Sequence, residues 1–574
     1  MDELKKDVQP VQNLRYPRIV FSGENSLEVQ FERKICREVN ALVSVFTRNF
    51  EGFSAEIPGI EEVVPAYCDV TVYFDSGNCS ARLVKEIAEE ALRKTFMEES
   101  EGDFTGKTVK IPVCYEEQFA PDLKFVAEGA GLSVEETVKI HSGIEYLIYM
   151  LGFLPGFAYL GGMDSRLEIP RLSVPRTKIP AGSVAIGGSQ TGLYPVESPG
   201  GWRIIGRTPL KVFDSGRKPA FLYSAGDKIR FVPVTKEEFE NFDEKKWLEE
   251  NGFIEKNENA QSCTEKSCKP RFVCSGGARV LSGGVLTTVQ DLGRKGFQKF
   301  GIGESGAMDR KSLVLANELV GNREEAACLE TTLCGPEIEF SSDCVFAVTG
   351  AESEVLLDGK PVPLNCAVKA KAGSVLKCGF AKKGLRSYIA FRGGILSVPF
   401  FGSCSTNVKS RTGGLGGKGL SEGAQLAFGT DFLSEKELRE GVSEERNSRT
   451  FLPDGFVEVE VVAGAQRDFF SDEIFEKFTR QIYTVSPESD RMGIRFLGES
   501  LNCGKTDIIS DAIPFGAVQI TSGGFPVVMA SDRQTAGGYA KIACVTKDGM
   551  CTLAQAVPGT KVRFVLKENF GSGD

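Results

Sequence analysis

The spacing of apolar and polar positions changes several times along the chain, and each change predicts a different element. VTVYF (70–74) is a run of β-branched and aromatic residues and predicts a strand. CSARLVKEIAEEALRKTF (79–96) carries apolar residues three and four apart and predicts an amphipathic helix. Residues 16–105, after a tail of 1–15, therefore read as a small α+β module. From 106 to 250 short strand-like runs broken by Gly and Pro take over: TVKIPVCY, GSVAIGG, WRIIG, AFLYS and KIRFVPV. One helix is expected across SVEETVKIHSGIEYLIYM (133–150), opened by a Ser133–Glu136 capping box, and a charged one across 235–250. Many short strands with few helices predict a closed or nearly closed β-barrel.

The segment 251–275 is polar and turn-rich and reads as a linker. Residues 276–433 return to Gly-rich β patterning with one helix, MDRKSLVLANELV (308–320). A charged connection at 434–450 separates this β domain from a last one at 451–574.

Three phrases recur in order. IPAGSVAI (179–186) matches IPFGAVQI (513–520), PGGWRII (199–205) matches AGGYAKI (536–542), and SAGDKIRF (224–231) matches VPGTKVRF (557–564). Their near-constant separation predicts a related barrel in each half. The expected fold class is α+β and mostly β, with barrels in both halves.

Composition narrows the function. A net charge of −10 and a pI near 5.2 argue against nucleic acid, where a basic face must replace released counterions. No apolar run reaches the length of a membrane helix, and MDELKKDVQPVQ lacks the apolar core of a secretory signal, so a cytoplasmic protein is expected. Sixteen cysteines are scattered without a CxxC pair and read as free thiols, and no metal site is expected. The chain has one histidine, His141, which excludes any chemistry needing two. No GxSxG elbow and no GxxxxGK[ST] phosphate loop are present.

Longer motifs carry a family resemblance. HSGIEYLIYMLGFLPGFAYLGG (141–162) and PRTKIPAGSVAIGGSQTGLYPVESPGGWRIIGRTP (175–209) resemble the KipI family, also called allophanate hydrolase subunit 1 or the B subunit of 5-oxoprolinase. GVLTTVQDLGRKGFQKFGIGESGAMDRKSLVLANELVGN (284–322), RSYIAFRGGI (386–395), SDRMGIRF (489–496) and SDRQTAGGYAKIACV (531–545) resemble its companion KipA, the C subunit of 5-oxoprolinase. The resemblance implies cyclophilin-like barrels and a fusion of the two. It implies ATP-dependent opening of 5-oxoproline to glutamate together with a separate 5-oxoprolinase component of the LamB/YcsF type. ATP would enter through that complex, since no binding loop is visible here. A similar pair forms a carboxyltransferase that moves carboxyl from biotin to urea, so biotin belongs only to that alternative. A third alternative is regulation of a sensor histidine kinase. A small amide or lactam substrate is expected, with a homo-oligomer as an open option.

These substrates share a planar N–C(=O) group that needs donors at its oxygen and an acid or base near its nitrogen. His141, whose side-chain type titrates near neutrality when unperturbed, is the expected acid or base. Phe157, Tyr159, Tyr194 and Trp202 are expected to wall a pocket, Gln190 to bond an amide, and Gly200 and Gly201 to admit backbone N–H groups. In the second half, QDLGR (290–294) offers Asp291 and Arg294, either as a local ion pair or with Arg294 gripping an anion. SDRQTAGGY (531–539) offers Asp532, Arg533, Gln534, Gly537, Gly538 and Tyr539 as the main site. Glu330 and Arg491 are further candidates, and Asp309 reads equally well as a helix-start residue. The family often carries a histidine after GG near 413–415, where this chain has Leu415.

Overall fold

Strands Ser26–Gln30 and Asp69–Phe74 lie side by side in a four-stranded sheet, flanked by Arg18–Gly23 and Ile60–Pro65. Alternation sends Leu27, Val29, Val70 and Val72 toward helices Arg37–Ser54 and Ala81–Met97, where they pack with Phe46, Phe50, Val84 and Ala88. The opposite face carries Ser26, Glu28, Gln30, Asp69, Thr71 and Tyr73, and all six are buried as well. A polar sheet face is buried only if another body covers it, and here the second half of the chain does so.

The computed structural model describes residues 16–98, 106–254, 274, 276–430, 452–504 and 506–567. The tail at 1–15, most of the linker and the charged connection at 434–450 lie outside the described residues.

The two barrels share one strand order. In the first half it runs Arg203–Arg207, Ser183–Gly187, Gln190–Leu193, Ala158–Gly161, Tyr146–Leu151, Lys228–Pro233, Thr108–Val113. In the second it runs Lys541–Val545, Ala517–Ile520, Pro526–Met529, Gly493–Leu497, Tyr483–Val485, Lys561–Leu566, Phe456–Ala463, and the last strand closes onto the first. Each has one parallel pair at the same place, Thr108–Val113 with Lys228–Pro233 and Phe456–Ala463 with Lys561–Leu566. A Cys114–Arg207 bridge joins the ends of the first set. Each also carries a two-stranded flap, Arg176–Ile179 with Ser198–Gly200 and Asp507–Ala512 with Ala536–Tyr539. The repeated phrases fall on corresponding strands. Between the barrels, long strands Cys344–Leu357 and Val375–Phe391 organise a further sheet, and helix Arg310–Val320 packs on both.

Three expectations need correction. The helix foreseen over 133–150 spans only Val134–Ser142, capped by Ser133 with Glu136, and Tyr146–Leu151 is a fully buried strand. A continuous apolar run suits a buried strand as well as a helix, and Gly143 separates the two elements. AFLYS contributes a single Phe213–Phe221 bridge and no strand. The charged helix over 235–250 is two short helices, Lys236–Glu240 and Glu244–Glu250, each with its own N-cap. Among the described residues no helix is long and apolar enough to cross a membrane.

Candidate active site between the two halves

A cavity of about 280 Å³ lies where the N-terminal module, the loop before helix Arg310–Val320 and the second barrel meet. Tyr73 and Glu62 come from the module, Gln298, Glu304 and Arg310 from the loop and helix start, and Phe515 and Arg533 from the barrel. Glu304 sits between two cations. Arg310 Nη2 donates to its Oε1 at 2.5 Å and Arg533 Nη2 to its Oε2 at 3.1 Å. Burial pushes the Glu304 carboxyl up, but the two guanidiniums outweigh it and hold it below the usual range. Arg533 also donates to Gln298 Oε1 at 3.1 Å and to the Ile513 carbonyl at 2.8 Å. Both guanidiniums lie over Phe515, 4.9 and 5.5 Å from its centroid.

Three polar atoms of this wall lack a partner: Arg533 Nη1, Arg310 Nε and the Tyr73 hydroxyl. A buried donor without a partner costs about 1–3 kcal/mol, so three around one cavity mark a place prepared for a ligand with acceptor oxygens. Glu62 accepts from the Lys299 N–H at 2.9 Å, and burial raises its carboxyl above the ordinary value, which favours the protonated acid.

Of the expected residues, the cavity collects Arg533 and Arg294. Arg294 has its donors committed to the backbone. It donates to the carbonyls of Phe400, Gly303 and Ser405, while Asp291 accepts from the Ser403 and Ser405 hydroxyls and from the Gly293 and Cys404 N–H groups. The two do not form the local ion pair considered above. Together they pin the 400–405 loop. Asp532 pairs with Arg491, Nε to Oδ2 at 2.9 Å, and Arg491 reaches Glu330 Oε1 at 2.5 Å, a buried bridge between the last barrel and the preceding sheet. Gln534 is half-buried and Tyr539 exposed on the flap. Gly537 stands where a Cβ would come within 2.7 Å of Ile513, whereas Gly538 has no such close neighbour. Asp309 caps its helix, accepting from Ser312 N–H at 3.1 Å, and Leu415 packs on the core of the middle sheet.

The pocket expected in the first half is filled by its own rings. Phe157 makes edge contacts with Tyr159, Tyr194 and Trp202, all buried. Cβ atoms on Gly187 and Gly200 would fall 2.6 Å from Trp202 and 2.5 Å from the Tyr194 hydroxyl. Glycine there makes room for a ring of the chain itself, while a Cβ on Gly201 would make only ordinary contacts with Pro175 and Leu172, 3.8 Å or more away. Gln190 donates to the Tyr67 hydroxyl at 2.5 Å, linking barrel to module. His141 is fully buried, stacked on Phe231, and bonded at both nitrogens. Thr191 Oγ1 donates to the Ala185 carbonyl, so His141 Nε2–H donates to Thr191 and Nδ1 accepts from Tyr115. That assigns a neutral ring. Burial lowers its pKa to about 3, which suits packing and not proton exchange with a substrate.

Tyr73, Glu62, Glu304 and Arg310 were not singled out from the sequence. The available signal was the strict alternation in SLEVQ and DVTVYF, which defines a polar face.

The comparisons with known proteins follow the same division. The family description "Carboxyltransferase domain, subdomain C and D" matches residues 17–223, and "Carboxyltransferase domain, subdomain A and B" matches 300–566. The first half is 38% identical over 229 residues to the B subunit of 5-oxoprolinase from Bacillus subtilis, covering 39% of this chain and 95% of that protein. The second is 35% identical over 278 residues to the C subunit of 5-oxoprolinase from Haemophilus influenzae, covering 48% of this chain and 87% of that protein. Urea amidolyase of Lachancea kluyveri is 31% identical over 304 residues, 50% of this chain but 17% of its own length. The crystal structure of TTHA0988 superposes with a TM-score of 0.76 at 28% identity, covering 94% of this chain and 99% of the other.

Proposed function

Since the chain belongs to the family of the 5-oxoprolinase B and C subunits, with B-like and C-like halves in one polypeptide, we propose that it opens 5-oxo-L-proline to L-glutamate in the cavity between those halves. The observation that carries this reading is the set of three unpartnered donors on Arg533, Arg310 and Tyr73 around one cavity. The substrate is a flat lactam with one carboxylate. Arg533 Nη1 and Arg310 Nε hold the carboxylate, the charge-assisted contact guanidinium makes best. The Tyr73 hydroxyl donates to the lactam oxygen, where negative charge develops as water attacks the carbonyl carbon and its oxygen becomes part of the new carboxylate. Glu62, whose carboxyl burial raises above its ordinary value, supplies the proton that the ring nitrogen needs as the C–N bond breaks.

A cavity of about 280 Å³ fits a lactam and is small for a nucleotide, since pockets for drug-sized ligands run about 300–1,000 Å³. ATP is assigned to the complex with a LamB/YcsF-type component, and no step is assigned to it on this chain. The matching carboxyltransferase description favours one second reading, carboxyl transfer from biotin to urea or a related amide. The same guanidiniums would then hold the carboxyl group in transit.

The test mixes the full chain with the LamB/YcsF-type component, ATP and 5-oxo-L-proline near neutral pH. Glutamate formation that needs all components supports the proposal. Turnover of carboxybiotin with urea, and none of 5-oxoproline, replaces it with the second reading.

A further inference from the structure

The same polar sheet face holds a second chamber, separate from the cavity above. Glu28, Asp69 and Asp511 each bring one carboxylate oxygen to within 4.8 Å of the others, two from the N-terminal module and one from the second barrel. They are 1%, 5% and 1% exposed. Together they help line a small space of about 40 Å³, larger than the roughly 10–15 Å³ one water needs.

Some carboxylate oxygens here are committed. Lys541 Nζ and Gln466 Nε2 take the two oxygens of Asp511, the latter at 2.8 Å, and Gln30 Nε2 donates to Glu28 Oε1 at 2.5 Å. Glu28 Oε2 and Asp69 Oδ1 have no partner. Lys541 balances one of the three negative charges. Arg33, the other cation at the wall, is shared with Asp468 at 3.4 Å and lies over Phe469. Two unpartnered buried acceptor oxygens in the wall of a space with room for an ion mark a recognition site for a positive ligand.

We propose that Glu28, Asp69 and Asp511 bind one hard divalent cation at the junction of the two halves. Three oxygen donors with no histidine or thiolate in the set favour Mg²⁺, Mn²⁺ or Ca²⁺ over zinc or copper. The chamber has space for the ion and a water or two, the hydration such ions retain. Because the ligands come from both halves, the ion ties the B-like module to the C-like barrel.

The experiment titrates Mn²⁺ into the metal-stripped full chain at pH 7. Binding is followed by calorimetry and by the loss of the free-ion electron paramagnetic signal. The expected result is one Mn²⁺ per chain, competition by Mg²⁺ or Ca²⁺, and a raised Tm. Asp69→Asn and Asp511→Asn are expected to weaken binding at least about tenfold. Should either fail to fold, Glu28→Gln supplies the same comparison. No stoichiometric Mn²⁺ binding by the wild-type chain, or unchanged binding in the folded variants, overturns the proposal.

Discussion

Arg310 and Arg533, from segments on opposite sides of the cavity, take one oxygen each of the same carboxylate, Glu304. The pairing orders both guanidiniums and leaves one N–H of each without a partner. The single carboxylate offsets one of the two positive charges, so net positive charge and donor capacity both remain at the cavity. Such an arrangement binds an anion with little reorganisation.

Arg533→Lys keeps the charge and loses the forked geometry. The expected outcome is a fall of about 10²-fold in kcat/KM for 5-oxo-L-proline, carried mainly by KM, measured with the LamB/YcsF-type component and ATP. An unchanged KM would place the substrate carboxylate elsewhere.

Tyr73→Phe separates binding from packing. The hydroxyl has no partner in the free protein, so its removal should leave Tm unchanged or slightly raised. Activity is expected to fall at least about tenfold, since the donor at the lactam oxygen is lost. A drop in Tm without a change in kcat would make the hydroxyl structural.

Arg491→Ala strands Asp532 as an uncompensated buried charge and leaves Glu330 with Arg386 alone, at 3.9 Å, because Arg491 bridges the two carboxylates. Removing one partner of such a set costs about 3–5 kcal/mol. Denaturant unfolding of the full chain should show this loss. A variant within about 1 kcal/mol of wild type would show the bridge to be dispensable.

His141 gives a pH prediction with a definite sign. Its folded pKa is lowered to about 3 from an ordinary 6.5, so the unfolded chain binds the proton first as pH falls. The stability tied to the neutral ring is complete above about 6.5 and is lost between there and about 3, by up to about 1.4 kcal/mol per pH unit. His141→Gln should flatten that part of the stability profile without altering the pH profile of activity. A shifted activity profile would return His141 to the chemistry.

The repeated barrel was legible in the sequence because its strands keep their phrases: IPAGSVAI and IPFGAVQI fall on corresponding strands that begin at Ser183 and Ala517. Arg533 was legible because it sits in a dense polar motif. Tyr73 and Glu28 were not, since a polar row on one face of a sheet ordinarily faces water, and only docking of the second half buries it. The aromatic residues of the first half misled for a related reason. Gly beside Trp202 or Tyr194 suits a ligand or a neighbouring ring equally, and three-dimensional packing alone decides between them.

The central claim is that the cavity between the halves recognises a carboxylate-bearing lactam through Arg310 and Arg533. Calorimetry of the full chain with 5-oxo-L-proline and with 2-pyrrolidinone, which lacks the carboxylate, tests it most directly. The account predicts binding of 5-oxo-L-proline, at least about tenfold tighter than 2-pyrrolidinone, with the preference abolished in Arg533→Met. Equal affinity for the two lactams, or a preference that survives in Arg533→Met, would contradict it.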